Sequence, residues 1–309
     1  MDVSIIVPVY NASQYLVTCL ESLLHQNTQY TYEIICINDG SSDDSLTILK
    51  AYEDKIVLIN QVNQGPGSAR NNGIKQAKGK YLMFADSDDY VRDNFVECML
   101  SSLLEANADI CICDFYRDLG NEIEYVNKGE YKIYELGSFQ QPLLMEYHSV
   151  NKIFKKEIFE MYPKHMFFED VVAIALSLLN AKRIVKIEEA LYYYRDVKES
   201  TTNTLSKKIY DIEVAIRMIE PKFIEKGYQD VIEFLYVNGV LVDLCIKIVR
   251  SKIKNGKQEV YKHFEMVNKK YPNWKKNVYL KHTRRMKRLY LFFLRHHLYG
   301  IIHVIYGMR

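Results

Sequence analysis

Short apolar runs alternate with helical patterns over the first 85 residues, and this alternation excludes most folds. Val3–Val9 is apolar apart from Ser4 and from Pro8 near its end, as expected of a strand buried on both faces. A helical pattern follows over Ala12–His25. Glu33–Asn38, Ile56–Asn60 and Tyr81–Ala85 repeat the apolar run, with helical patterns near 44–53 and over 66–77 between them. Strands alternating with helices predict an α/β fold, with a mostly parallel, twisted sheet and helices on both faces. Ligands of such sheets bind beyond the carboxyl ends of the strands.

The pattern changes along the chain. Residues 110–160 are less regular, and Ile184–Ile187 reads as a further strand. Strand signals cease near Thr204, after which 207–226, 229–254 and 257–270 read as helices. The expected organisation is a domain over 1–204 and a helical C-terminal region over 205–309, which suits a 309-residue chain.

The net charge of +2 hides a gradient. Residues 1–100 carry 13 acidic and 7 basic side chains, whereas 266–309 carry 11 basic ones and no acid. That asymmetry points to a cation site at one end and an anionic partner at the other. The six cysteines lack zinc-ribbon spacing and read as reduced thiols of a cytosolic protein. The start, MDVSIIVPVYN, reads as a first strand rather than a signal peptide. No uncharged apolar run of about 18 residues is present, so no membrane span is expected.

The strongest local signal is Asp86-Ser87-Asp88-Asp89, directly after the fourth strand. Carboxylates crowded at a strand end repel unless a cation neutralises them. Oxygen ligands alone suit Mg²⁺ or Mn²⁺. A solvated acidic turn capping the next helix would read the same in isolation.

Context weighs against that plain turn. Pro8-Val9-Tyr10-Asn11 follows the first strand and Asp39-Gly40-Ser41-Ser42-Asp43 the second; Asn63-Gln64-Gly65-Pro66-Gly67-Ser68-Ala69-Arg70-Asn71-Asn72-Gly73 precedes the fourth. In this order and spacing, with the Asp86 cluster, the set closely resembles family 2 glycosyltransferases of the GT-A (Rossmann-like) fold, over about 200 residues. The resemblance implies a nucleotide-sugar donor, usually UDP-linked. It puts Pro8, Tyr10, Asn11, Asp39, Asn63, Arg70, Asp86, Ser87, Arg195 and Ser200 on the donor side. Asp39 would accept from the base N–H, which suits a carboxylate because it only accepts. Asp86 and Asp88 match the family's DxD element, with Asp88 the direct metal ligand. Phe167-Phe168-Glu169-Asp170 matches its ED element, which makes Asp170 the general base that takes the acceptor's hydroxyl proton. The adjacent phenylalanines would raise that carboxylate's basicity. Asn151-Lys152-Ile153-Phe154-Lys155 resembles a segment near the acceptor, and Asp89, Lys152 and Glu169 are expected on that side. Tyr194-Arg195 with Ser200-Thr201 resembles the loop over the donor diphosphate. Inversion at the anomeric carbon is a further implication.

The tail, Leu280–Arg309, places Lys281, Arg284, Arg285, Lys287 and Arg288 ahead of Leu289-Tyr290-Leu291-Phe292-Phe293-Leu294. Basic and apolar faces together describe an interfacial helix, though a helix packed on its own domain would show the same pattern. The expectation is peripheral attachment to an anionic membrane at the cytoplasmic inner face. The acceptor would be a glycan or lipid-linked oligosaccharide of cell-surface polysaccharide synthesis. A homo-oligomer is left open, and no nucleic-acid fold accompanies the charge. A silent nucleotide-binding scaffold and a nucleotidyltransferase are the alternatives. The first leaves the repelling carboxylates unexplained, and the second lacks its glycine-rich loop after strand one. No G-x-G-x-x-G stands there either, which disfavours a dinucleotide reductase.

Overall fold

The alternation of the first 85 residues becomes a parallel half-sheet in a computed structural model that describes residues 1–127, 129–135, 137–138, 140–144, 147–197, 207–251 and 253–307. Strands β1 (Val3–Val9), β2 (Tyr32–Asp39), β3 (Val57–Gln61) and β4 (Tyr81–Phe84) lie in the order β3-β2-β1-β4, with Ile5 opposite both Ile34 and Met83. Helices α1 (Ser13–Leu24), α2 (Ser45–Lys50) and α3 (Pro66–Gln76) connect them.

Beyond β4 the sheet is mixed. Strand β9 (Lys152–Lys155) runs antiparallel to both β4 and β6 (Ile110–Asp118), and β10 (Arg183–Arg195) runs parallel to β6. The short strands β5 (Tyr90–Val91), β7 (Ile123–Val126) and β8 (Lys132–Glu135) add antiparallel neighbours. One of these pairings has a local cause: β6 and β7 are joined by a tight turn, which permits only antiparallel pairing. Helix α4 (Phe95–Glu105) still crosses between β5 and β6, but a short helix α5 (Gln140–Leu143) and hairpins replace the regular crossovers of the first half.

Both faces are covered. Val3, Ile5, Val7 and Val9 of β1 join Leu16 and Leu20 of α1 and Phe95 and Met99 of α4 in one core. Ile6 and Ile37 point the other way, against α3. A Cβ at Gly73 would stand 2.6 Å from Ile6 Cγ2 and 2.8 Å from Ile37 Cδ1, so only glycine lets α3 lie this close. Each such buried aliphatic side chain contributes about 1.5–3 kcal/mol. A wholly buried ion pair, Lys186 Nζ to Asp114 Oδ1 at 2.7 Å, links β10 to β6. Helix α6 (Glu169–Asn180) begins at the expected acidic pair.

The described chain forms two units, Met1–His165 with Glu169–Asn203, and Met166–Phe168 with Thr204–Arg309. The second is helical: α7 (Asp211–Glu225), α8 (Gln229–Leu235), a π-helical stretch (Tyr236–Leu244), α9 (Cys245–Arg250), α10 (Gly256–Lys270), α11 (Arg285–Arg295) and α12 (Tyr299–Tyr306). The single helix expected over 229–254 therefore carries a π-helical interruption and ends at Arg250. In the tail, α11 buries Tyr290, Leu291 and Leu294 but leaves Met286, Leu289 and Phe292 exposed. Its apolar residues thus serve its own unit on one face and meet solvent on another. Among the described residues no helix is long and apolar enough to cross a membrane.

Candidate active site

Loops at the carboxyl ends of β1, β2 and β3 hold one another. Asn11 leaves β1 at φ +50°, and its Oδ1 accepts from the Ser42 N–H at 2.8 Å. The Ser13 N–H at the start of α1 donates to Asp43 Oδ2 at 2.9 Å, and the Ser45 N–H to its Oδ1 at 3.0 Å. Burial opposes ionisation of Asp43, but hydrogen bonds from Ser45 and Ser13 outweigh it and hold its pKa at about 2. Asp39 is only 3% exposed. Its carboxylate accepts from Gln61 Nε2 (2.7 Å), the Gln64 N–H (2.8 Å) and the Gly65 N–H (2.9 Å). The residue expected at the base therefore also organises the loop into α3. Its Oδ2, with one of these partners, keeps a lone pair for another donor. Pro8 is partly buried, while Tyr10, Asn11 and Asn63 are exposed.

Arg70, on α3, joins two acidic elements distant in sequence. Its guanidinium reaches Asp86 Oδ1 at 2.8 Å and Glu169 Oε1 at 3.2 Å, and lies 5.4 Å from the centre of the Tyr162 ring. The close fit again needs glycine, since a Cβ at Gly67 would stand 2.8 Å from Glu169 Cγ. Asn71 exchanges two hydrogen bonds with the Tyr162 backbone, at 2.8 and 2.9 Å, which secures the loop ahead of α6. Arg70 Nε is buried without an acceptor among the described residues.

The carboxylates of the acidic loop have separate environments. Asp86 faces Arg70. Asp88 has no ion-pair partner among the described residues, and burial together with the Asp86 charge pushes its pKa up to about 6. Asp89 is 1% exposed and accepts from the Tyr192 hydroxyl at 2.6 Å and the Arg195 N–H at 2.8 Å. Burial and the neighbouring Asp86 and Asp88 charges raise its pKa regardless. The same Tyr192 hydroxyl accepts from the Asp86 N–H at 3.0 Å, so one buried tyrosine braces both ends of the loop. Ser87 is buried.

Arg195 ends β10 and is bound to that loop. Its Nη1 donates to the Asp88 carbonyl at 2.9 Å, and the guanidinium lies 4.9 Å from the Tyr15 ring centre and 5.1 Å from that of Tyr90. Tyr90 is itself stacked on Tyr193 at 4.5 Å. Asp170, at the start of α6, accepts from the Val171 N–H at 2.9 Å. Burial raises its pKa against the opposing influence of His148 and Arg70. Phe167 and Phe168, which precede it, group with the helical unit. The Phe167 N–H donates to Asp211 Oδ2 at 2.9 Å, and Lys247 lies over the Phe168 ring at 5.3 Å.

These contacts bring Arg70, Asp86, Asp88, Asp89, Glu169 and Arg195 into one network. Lys152 differs: it is 1% exposed in β9, and its ammonium donates to the His148 carbonyl and Asn151 Oδ1 at 2.6 and 2.7 Å. Ser200 lies outside the described residues. Among those residues no group of three or more His, Cys, Asp or Glu side chains is arranged to hold a metal ion. Asp86 and Asp88 nonetheless supply oxygen donors alone, and Asp88 has no paired cation among the described residues. Oxygen donors of that kind suit a hard divalent ion.

The family model described as glycosyl transferase family 2 matches residues 4–163, more than half of the chain. The chain belongs to glycosyl transferase family 2. Among curated relatives of this family-2 glycosyltransferase, glycosyltransferase GlyG of Streptococcus pneumoniae is 29% identical over 297 residues, covering 82% of this chain and 98% of that protein. A poly(ribitol-phosphate) beta-glucosyltransferase of Bacillus spizizenii is 34% identical over 216 residues, 63% of this chain and 32% of that protein. The crystal structure of S. aureus TarS 1-349 in complex with UDP-GlcNAc superposes with a TM-score of 0.63 at 20% identity, covering 88% of this chain and 92% of that one, which supports the GT-A fold.

Several residues around this network carry no motif. Tyr192, Tyr15 and Tyr90 brace the acidic loop and Arg195, and His148 bears electrostatically on Asp170. With 25 tyrosines in the chain, composition could not single out these three. Only the approach of β10 to the loop after β4 reveals Tyr192.

Proposed function

We propose that the chain transfers a sugar from a UDP-linked donor to a hydroxyl of a cell-surface glycan or lipid-linked acceptor, with inversion at the anomeric carbon. The observation that carries this reading is Arg70, which ties the Asp86 loop to the Glu169-Asp170 start of α6. Leaving-group handling and a base are thereby held on one frame. Asp39 would receive the uracil imide through its remaining lone pair, beside Pro8, Tyr10, Asn11 and Asn63. The buried Arg70 Nε–H offers a donor to an incoming oxygen, and Arg195 supplies a second guanidinium suited to phosphate. Asp88, with Asp86 behind it, would hold Mg²⁺ or Mn²⁺, which supplies charge neutralisation to the departing diphosphate when bound. Asp170 takes the proton from the acceptor hydroxyl; its raised pKa makes it a stronger base than an ordinary aspartate. A single carboxylate base and a leaving diphosphate favour direct displacement, hence inversion.

The acceptor reading draws on the Bacillus spizizenii relative, whose name points to a polyol-phosphate chain. The basic, half-exposed apolar tail supports peripheral attachment at the inner membrane face. The test is a screen of UDP- and GDP-sugars with Mn²⁺ and a polyol-phosphate or lipid-linked acceptor, on wild type and Asp170→Asn. Expected are UDP-sugar turnover by wild type, and retained donor binding with turnover about 10²–10⁴-fold lower in the variant. Turnover of GDP-sugars alone would overturn the donor assignment, and a fully active variant would remove Asp170 from its role.

A further inference from the structure

We propose that the C-terminal unit carries a discrete site for the phosphate headgroup of an anionic lipid, in the cleft between α11 and the turn around Trp274. The proposal rests on the membrane reading above and deepens it, from a diffuse basic tail to a shaped site.

The cleft measures about 160 Å³ and is lined by Trp274, Lys275, Leu280, Arg288, Leu291, Phe292 and Arg295. Its chemistry follows from helical spacing. Arg288, Leu291, Phe292 and Arg295 stand at i, i+3, i+4 and i+7, one face of α11. Trp274 and Leu291, 1% and 6% exposed, form an apolar floor. Lys275, Arg288 and Arg295 form a rim of exposed cations. None of the three is paired with a carboxylate among the described residues, and 266–309 contains no acid.

A second cleft of this unit provides the contrast. It is larger, about 440 Å³, and includes Arg217 and Lys270. There Arg217 is paired with Glu213 and Lys270 with Glu220 at 2.9 Å, which leaves Lys269 as the one lining cation without a carboxylate partner among the described residues. The α11 cleft keeps three such cations, two of them guanidiniums, for an outside anion.

An apolar floor beneath unpaired guanidiniums selects an amphipathic anion. Two arginines can fork onto phosphate oxygens. The volume, about five times that of a water molecule, fits a headgroup rather than a whole lipid. Beside it Met286, Leu289 and Phe292 are 41%, 38% and 51% exposed on the same helix, positioned to enter the acyl boundary. A nucleic acid or other polar polyanion would use the charges but leave those side chains in water.

The test uses the full chain and sedimentation with phosphatidylcholine vesicles, with and without phosphatidylglycerol at roughly a third of the lipid. Arg288→Gln/Arg295→Gln is compared with Arg284→Gln/Arg285→Gln, which removes equal charge from exposed positions outside the cleft. A diffuse basic tail predicts equal losses. The cleft predicts at least about a tenfold greater loss of partitioning for the first pair. Phe292→Ser, which leaves the charge unchanged, should also weaken binding several-fold. Equal losses in the two double variants, or unchanged binding of Phe292→Ser, would each overturn the site. All these side chains are exposed, so an unchanged melting temperature is expected and checks folding. The assay reads vesicle binding alone, so it can fail while sugar transfer succeeds.

Discussion

Replacing Arg70 by Met tests the frame of the site. The Arg70 side chain is 10% exposed and lies within 2.8 Å of Asp86 and 3.2 Å of Glu169, itself 12% exposed. Methionine keeps much of the packing against Tyr162 but strands two carboxylates, one of them nearly buried. Breaking a buried ion pair from one side costs about 3–5 kcal/mol, because the remaining charge stays desolvated. For a unit of this size each kcal/mol moves the midpoint by about 2–4 °C, so a fall of roughly 6–20 °C is expected at neutral pH. The sign with pH follows. Glu169 already has a raised pKa from burial, and losing its cation raises it further. The variant's deficit should therefore shrink as pH falls, when the stranded carboxylates protonate. Arg70→Met/Glu169→Gln should regain most of the lost stability but not the transfer activity. Calorimetry and a donor-turnover assay on both variants decide it. A fall under about 3 °C, or no recovery in the double variant, would refute the reasoning.

Other outcomes follow from the same geometry. Tyr192→Phe removes the hydroxyl that bonds Asp89 and the Asp86 N–H; it should cost about 1–3 kcal/mol in chemical denaturation and raise KM for the donor. Asp88→Ala should abolish the Mn²⁺ dependence of UDP binding in titration calorimetry, whereas a preserved dependence would assign the metal elsewhere. The acid limb of the kcat/KM profile should lie above the usual carboxylate range. Asp170 must be ionised to act, and burial raises its pKa, so activity is lost as pH falls through that raised value. A limb near pH 4 would mean that another group titrates.

What was legible in the sequence is what local periodicity encodes. The apolar runs and helical patterns before Ala85 mark the parallel half-sheet, because burial on both faces and burial on one face leave different repeats. The polar clusters then lie at carboxyl ends by topology alone. The tertiary structure decided the rest. Arg70 meets Glu169 across 99 residues, Asp89 meets Tyr192 across 103, and no window of sequence carries such encounters. The antiparallel half of the sheet depends on where the chain turns back after β6. Whether Lys152 faces solvent or the interior, and which side of α11 remains open, depends on neighbours brought in by folding. Side-chain type and spacing specify an element's faces; only packing selects which face is buried.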